Sequence, residues 1–195
     1  MEPFIRVTGI VAPMDRVDVD TDSIIPAQFL KRVERTGFGQ FLFFAWRFLP
    51  NGEPNPDFVL NRPEYAGASI LVTGRNFGSG SSREHAPWAL VDYGFRTVVS
   101  TSIADIFKNN AVKNGLLPIE VDAKTHRELV GSPGASVVID LEKKTLSLPD
   151  GRAVSFPLDA FAHHCLLDGI DQLDFLMQRE DAIRAFENSS PAKRA

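Results

Sequence analysis

The sequence has little cysteine, no surplus of positive charge and no long hydrophobic run. Its 195 residues include one cysteine, Cys165, so no disulfide can form within the chain. One thiol also cannot hold an iron–sulfur cluster or a thiolate zinc site by itself. Lys and Arg number 21 against 25 Asp and Glu, a formal net charge of -4. This balance disfavours nucleic acid and anionic membrane surfaces as partners.

Targeting and membrane signals are also missing from the sequence. No basic stretch precedes an apolar run near residue 1, and no window approaches the roughly 20 apolar residues that span a bilayer. We therefore expect a cytoplasmic protein. The length and the 44% hydrophobic content predict a single domain over residues 1–187, and the polar end predicts a flexible tail at 188–195.

The middle third of the chain predicts alternating strands and helices. Short apolar or β-branched runs predict strands at 69–74, 96–100 and 116–121. Helical spacing that ends at a glycine predicts helices at 84–93 and 103–114. This succession implies a parallel or mixed sheet with right-handed crossovers.

The two ends of the chain extend this α/β pattern. A strand is expected from residue 5 to 11, ended by Pro13. Turn signals between short apolar segments predict an antiparallel β flank with strands at 136–140, 144–148 and 153–156. Helices are expected at 159–167 and 179–186.

A segment rich in glycine and serine, residues 74–86, joins a predicted strand to a predicted helix. Its turn leaves backbone N–H groups unpaired at the positive end of the helix dipole, which favours an anion. Ser81 and Ser82 add hydroxyls, and Arg83 adds a planar fork suited to a carboxylate or phosphate. The spacing matches neither a phosphate loop nor a dinucleotide fingerprint. A carboxylate site remains open beside a helix N-cap in which a serine binds backbone and Arg83 pairs with an acid.

Three other segments have simpler interpretations. Asp18, Asp20 and Asp22 lack the glycine and distal glutamate of a calcium loop, which favours a solvated or helix-capping loop. The aromatic cluster at 41–48 is expected in the core or in a subunit interface. Side chains of consecutive helical residues point about 100° apart, so the run at 163–165 is expected to be structural rather than metal-binding.

The full string around the loop resembles the swivel domain of the aconitase superfamily. The residues that carry this resemblance are NFGSGSSREHA at 76–86, ADIFKNN at 104–110 and NGLLP at 114–118. Further motifs are similar to the separate small subunits of the bacterial 3-isopropylmalate dehydratase family: DTDSIIPAQFL at 20–30, WRFL at 46–49, APWAL at 86–90 and HCLLDG at 164–169. The resemblance covers residues 4–187. It departs at Ser79 and Ala111, where the family often has cysteines that are not cluster ligands.

This resemblance implies a swivelling β/β/α fold, a mixed sheet with flanking helices and an antiparallel β flank. It also implies a hydro-lyase of leucine biosynthesis that isomerises a small dicarboxylate by dehydration and rehydration. The family's [4Fe-4S] cluster is expected on a separate large subunit, with no cofactor bound by this chain. By the same resemblance Ser81 is the base, Gly80 and Ser82 lie at the substrate, and Arg83 grips a carboxylate.

Supporting and specificity roles are also expected. Asn76 and His85 are candidates for supporting the loop. Substrate choice is expected to involve a second loop after Pro26, formed by Gln28, Phe29, Leu30, Lys31 and Arg32. Because this loop mixes apolar and cationic residues, homoaconitate or citraconate stays an alternative substrate. A stand-alone anion-binding or regulatory module is the alternative of another class.

Overall fold

A seven-stranded mixed sheet forms the centre of the molecule. The computed structural model describes residues 1–31 and 36–189, and the strand order in the sheet is β4-β3-β2-β1-β5-β6-β7. The strands are β1 (Arg6–Met14), β2 (Ile70–Thr73), β3 (Thr97–Ser100), β4 (Leu117–Glu120), β5 (Ser136–Asp140), β6 (Thr145–Ser147) and β7 (Ala153–Ser155). Strands β1 to β4 pair in parallel, and β1, β5, β6 and β7 pair antiparallel. The predicted fold class is confirmed.

Helices flank the sheet and follow the strands along the chain. They are α1 (Thr21–Ile24), α2 (Phe44–Arg47), α3 (His85–Tyr93), α4 (Asp105–Lys113), α5 (Ala123–Val130), α6 (Ala160–Asp168), α7 (Gln172–Met177) and α8 (Glu180–Ser189). No helix was predicted over α5 or α7. Helix α8 contains Asn188 and Ser189, the first two residues of the predicted tail. None of the helices in the described ranges is long and apolar enough to cross a membrane.

The first strand continues beyond the point at which its end was predicted. It passes Pro13 and reaches Met14, and Pro13 lies opposite Val72 of β2. Proline lacks an N–H and is tolerated where a strand has a free edge. Strand β5 pairs only with Arg6–Ile10, so β1 has a neighbour on one side at Pro13. The predicted end at Pro13 is therefore wrong, because the sheet needs no donor there.

Both faces of the parallel half are buried. Ile70 and Val72 belong to the core on one face of the sheet, whereas Leu71 belongs to the core on the other. All four residues of β2 and of β3 are buried, as expected for parallel strands covered on both sides. The loops that leave the ends of these strands therefore stand on a rigid base.

Candidate active site

The segment at 74–84 leaves the end of β2 and is held by the segment that precedes α1. The amide of Gly78 donates to the Val19 carbonyl oxygen at 2.7 Å, and the amide of Thr21 donates to the Ser79 carbonyl oxygen at 2.9 Å. Asp20 and Ser79 form an isolated parallel bridge. Two segments far apart in sequence thus lie side by side.

Thr21 fixes the glycine-serine loop on both sides of Gly80. Thr21 is 2% exposed, and its hydroxyl donates to the Ser81 carbonyl oxygen at 2.8 Å. Gly80 has φ +89, in the left-handed region that favours glycine. The backbone that carries Ser81 is therefore anchored by a buried threonine.

Gly78 allows the loop to pack closely against α4. It has φ +75, and a Cβ placed there would lie 2.3 Å from Cγ of Phe107. Phe107 also makes an edge contact with Phe77, with ring centroids 5.2 Å apart. The base of the loop is consequently part of the hydrophobic core.

Arg83 forms a two-pronged ion pair with Asp22. Its Nη1 donates to Oδ1 of Asp22, and its Nη2 donates to Oδ2 at 2.8 Å. Nη1 also lies 3.4 Å from the Ile25 carbonyl oxygen. The Arg83 side chain is 16% exposed and that of Asp22 is 56% exposed. Arg83 thus pairs with an acid, one of the arrangements that the sequence left open.

Ser82 is connected to α4 by side-chain hydrogen bonds. The amide nitrogen of Asn110 lies 3.4 Å from the Ser82 hydroxyl. Asn114 donates to the Asn110 carbonyl oxygen at 2.8 Å, and Trp88 donates its indole N–H to Asn114 at 2.7 Å. This chain of contacts orients Ser82 from the packed helices below it.

The Ser81 hydroxyl remains available. Ser81 is exposed, and no residue within 1–31 or 36–189 makes a hydrogen bond to its Oγ. Helix α3 begins at His85 rather than at 83 or 84, and its N-cap, Glu84, makes no side-chain capping bond. Neither Ser81 nor Ser82 therefore acts as the helix cap that the alternative interpretation required.

The two supporting candidates lie at opposite ends of the segment. Asn76, with φ +60, donates from its side chain to Asp18 at 2.9 Å and from its backbone to the Ser102 hydroxyl at 2.8 Å. His85 packs against Phe38 and Trp88. Burial lowers the pKa of His85, and Arg83 adds to that lowering while Glu84 opposes it. Folding therefore disfavours the protonated form of this imidazole at the start of α3.

The expected specificity loop divides into an inner and an outer part. Phe29 stacks on Phe41 with ring centroids 4.1 Å apart, and Leu30 packs against the core. Gln28 and Lys31 are exposed. The remaining member of this loop, Arg32, lies outside the described residues.

The other candidate segments have structural roles. Asp20 caps α1 by accepting from the Ser23 amide at 2.7 Å, which confirms the helix-capping interpretation of the aspartate loop. Nε2 of His163 lies 2.8 Å from the Leu141 carbonyl oxygen. Burial raises the pKa of the Cys165 thiol. Among the residues that the structure describes, no group of His, Cys, Asp and Glu could hold a metal ion.

The arrangement can bind and act on an anion. Two hydroxyls and a guanidinium are carried by one anchored loop, and the guanidinium lies 3.4 Å from the carbonyl oxygen of Ile25, two residues before the 27–31 segment. The sequence did not predict contacts of Thr21, Asp22 or Asn110 with the loop, although all three lie within the motifs quoted above. Their partners in the loop lie 28 to 61 residues away, so local spacing carries no signal for these contacts.

This fold and loop define an aconitase-type swivel module. The model of the family "Aconitase C-terminal domain" matches residues 1–124, which is more than half of the chain. The match includes strands β1 to β4 and the complete 74–84 segment.

Relatives specify the family more closely. The chain is 55% identical over 197 residues to the 3-isopropylmalate dehydratase small subunit of Roseiflexus sp. (strain RS-1), covering 99% of this chain and 97% of the relative. It is 57% identical over 187 residues to that of Anaeromyxobacter dehalogenans (strain 2CP-1), covering 96% and 98%. The crystal structure of a 3-isopropylmalate dehydratase from Methanocaldococcus jannaschii superposes with a TM-score of 0.68 at 25% identity, covering 94% and 99%. The chain belongs to the family of 3-isopropylmalate dehydratase small subunits.

Proposed function

We propose that this chain supplies the catalytic base and a carboxylate grip to an isopropylmalate isomerase whose active site is completed by a large subunit. The reaction interconverts 2-isopropylmalate and 3-isopropylmalate by dehydration and rehydration, in leucine biosynthesis. The observation that carries the proposal is the exposed Ser81 hydroxyl next to the guanidinium-bearing Arg83 on an anchored loop. The family and its relatives' names support the same reaction. The proposed setting is the cytoplasm.

Ser81 acts in this proposal as the base. As an alkoxide it takes a carbon-bound proton from the substrate and becomes a hydroxyl, while the hydroxyl on the neighbouring carbon leaves and an alkene forms. In the rehydration that completes the isomerisation, a hydroxyl adds to the carbon that lost the proton, and Ser81 gives its proton to the carbon that lost the hydroxyl. Ser82 and the backbone at Gly80 hold the substrate against this serine, and Arg83 binds one carboxylate.

A serine alkoxide needs strong electrostatic stabilisation, because the hydroxyl is a very weak acid. The loop offers backbone N–H groups and Arg83, but Arg83 already shares its charge with Asp22. Ser81 is also exposed in the structure. We therefore expect a second protein surface to cover the loop and to add positive charge beside Ser81.

The residues of this chain do not fit the iron–sulfur cluster of the family. A cluster of this kind is held by several thiolates, whereas the chain has one cysteine, and that cysteine is buried in α6. We place the cluster, and with it the Lewis acid for the departing hydroxyl, on the separate large subunit.

A reconstitution assay tests this proposal. The purified chain and the cluster-bearing partner are assayed separately and together, by the ultraviolet absorbance of the alkene intermediate. The proposal predicts turnover of isopropylmalate by the mixture only. Turnover by this chain alone would refute the two-subunit arrangement, and a mixture active only on homoaconitate or citraconate would refute the leucine-pathway assignment.

A further inference from the structure

Arg83 uses only part of its hydrogen-bonding capacity within the structure. A guanidinium carries five N–H donors in one plane. Two of them bind the carboxylate of Asp22, and a third, on Nη1, points to the Ile25 carbonyl oxygen. The Nε–H and the second N–H of Nη2 remain, and no residue in the described ranges accepts from either.

The two remaining donors form a complete binding edge. Nε–H and the outer N–H of Nη2 run parallel on one side of the guanidinium, the geometry that matches the two oxygens of a carboxylate. The Arg83 side chain keeps 16% of its surface exposed, and no residue in the described ranges accepts a hydrogen bond from its Nε. Asp22 therefore occupies one edge of the guanidinium and leaves a second edge open.

Asp22 is itself held in place. It lies in the first turn of α1, whose start is capped by Asp20. The preceding residue, Thr21, is bonded to the loop through its amide and its hydroxyl. Because Asp22 stands on a fixed backbone, its ion pair limits the rotation of the long Arg83 side chain. This side-chain entropy is lost before the substrate binds, so substrate binding does not have to offset it.

We propose that Asp22 is a positioning residue, which holds the Nη1/Nη2 edge of Arg83 so that the Nε/Nη2 edge faces a carboxylate of the substrate. This inference rests on the proposed function, in which Arg83 binds that carboxylate. The opposite arrangement, in which Asp22 occupies the carboxylate site and the substrate displaces it, makes the opposite prediction for KM. Removal of the Asp22 charge would then free Arg83 and lower KM.

The test is D22N in the complex of this chain with its large subunit, assayed on 2-isopropylmalate. We expect KM to rise about tenfold, the value of one lost charge-assisted contact, with kcat within about threefold of the wild type. D22E keeps the charge but moves the anchor by one methylene, and its KM is expected about threefold above the wild type. A merely structural role would instead lower the thermal midpoint and the amount of complex and would leave KM unchanged.

D150N is the matched control. Asp150 pairs with Arg152, and its side chain is 51% exposed against 56% for Asp22, but it lies in the antiparallel flank. Its KM is expected to equal that of the wild type. A D22N complex whose KM is equal to or below the wild-type value would overturn the inference.

If D22N does not assemble with the large subunit, D22E alone tests the inference. A D22E complex whose KM is at or below the wild-type value contradicts the positioning role of Asp22. Lack of turnover by the wild-type complex would refute the proposed function itself. That failure is seen before any variant is assayed, so the two failures remain distinguishable.

Discussion

The loops at the end of the parallel strands and the turns of the antiparallel flank are built from different kinds of contact. In the loops, side chains join residues far apart in sequence: Arg83 meets Asp22 across 61 positions, and Thr21 meets Ser81 across 60. In the flank, the turn between β6 and β7 is closed by Asp150 with Arg152, two positions apart, and by backbone hydrogen bonds of Leu148. One longer contact, from Arg152 to Glu128, joins this turn to α5 across 24 positions. The site therefore depends on two segments meeting, whereas the flank's turns are largely local.

The same contrast appears in the glycines with positive φ. Gly78 faces Phe107 at a distance that excludes a side chain, whereas Gly151, at the β6–β7 turn, has nothing within 4 Å of an added Cβ. One glycine is required by packing as well as by backbone conformation, and the other by conformation alone. Variants made in pairs, one in the loops and one in the flank, can test this difference.

The largest effect is expected for Ser81→Ala. Loss of the base should lower kcat by at least about 1000-fold, as in other enzymes that lose a central catalytic group, while assembly with the large subunit is retained. Ser147→Ala, in β6 of the flank, should leave kcat within about twofold. The measurement is steady-state turnover of the reconstituted complex, and an unchanged kcat in Ser81→Ala would refute the base assignment.

The next effect concerns stability. Gly78→Ala combines a strained φ with a clash against Phe107 and should lower the free energy of unfolding by about 3 kcal/mol. Gly151→Ala carries only the backbone strain and should cost about 1 kcal/mol. Denaturant unfolding of both variants measures the difference. Equal losses would show that Phe107 moves aside and that the loop is not held by packing.

A smaller effect is expected for Arg83→Lys, because the substrate loses one of two parallel hydrogen bonds. KM should rise about tenfold or somewhat more, with a lesser change in kcat. Arg152→Lys makes the same change in the flank and should leave both parameters unaltered. Steady-state kinetics on isopropylmalate compares the two, and equal KM values would argue against a carboxylate grip at Arg83.

The smallest effect is a pH dependence from His85. Burial lowers its pKa, so the unfolded chain binds the proton more readily than the folded chain does. Stability supplied by the neutral ring is present above about pH 6.5, the ordinary value for histidine, and is lost as the pH falls below it. The thermal midpoint should therefore decline less on acidification in His85→Gln than in the wild type. Equal declines in the two proteins would contradict this account.

Regular structure was predictable where local signals agree. The strand predicted at 69–74 agrees with β2, Ile70–Thr73, to within one residue at each end, because the apolar run is bounded by Gly74. Helix α5 also carries local signals, an Asp122 cap and a following Gly131, so its position can be predicted from sequence as well. Pro13 does not predict the end of β1. A proline destabilises a strand only where a neighbouring strand needs its missing N–H as a hydrogen-bond donor, and the sequence does not show which strands are neighbours.

The candidate site was predictable only in part. The loop residues Ser81, Ser82 and Arg83 are adjacent in sequence, and their chemistry indicates an anion. The pairing of Arg83 with Asp22 and the contact of Ser82 with Asn110 depend on how β2, α1 and α4 meet in space. Such contacts become visible only once the fold is known.

A competition experiment tests most directly whether this chain contributes Ser81 to a shared active site. A limiting amount of the large subunit is incubated with wild-type chain and increasing Ser81→Ala chain, and isopropylmalate turnover is recorded. The account predicts that turnover falls in proportion to the variant's share of the small subunit, because the variant assembles but supplies no base. Turnover that stays constant while the variant enters the complex would contradict it.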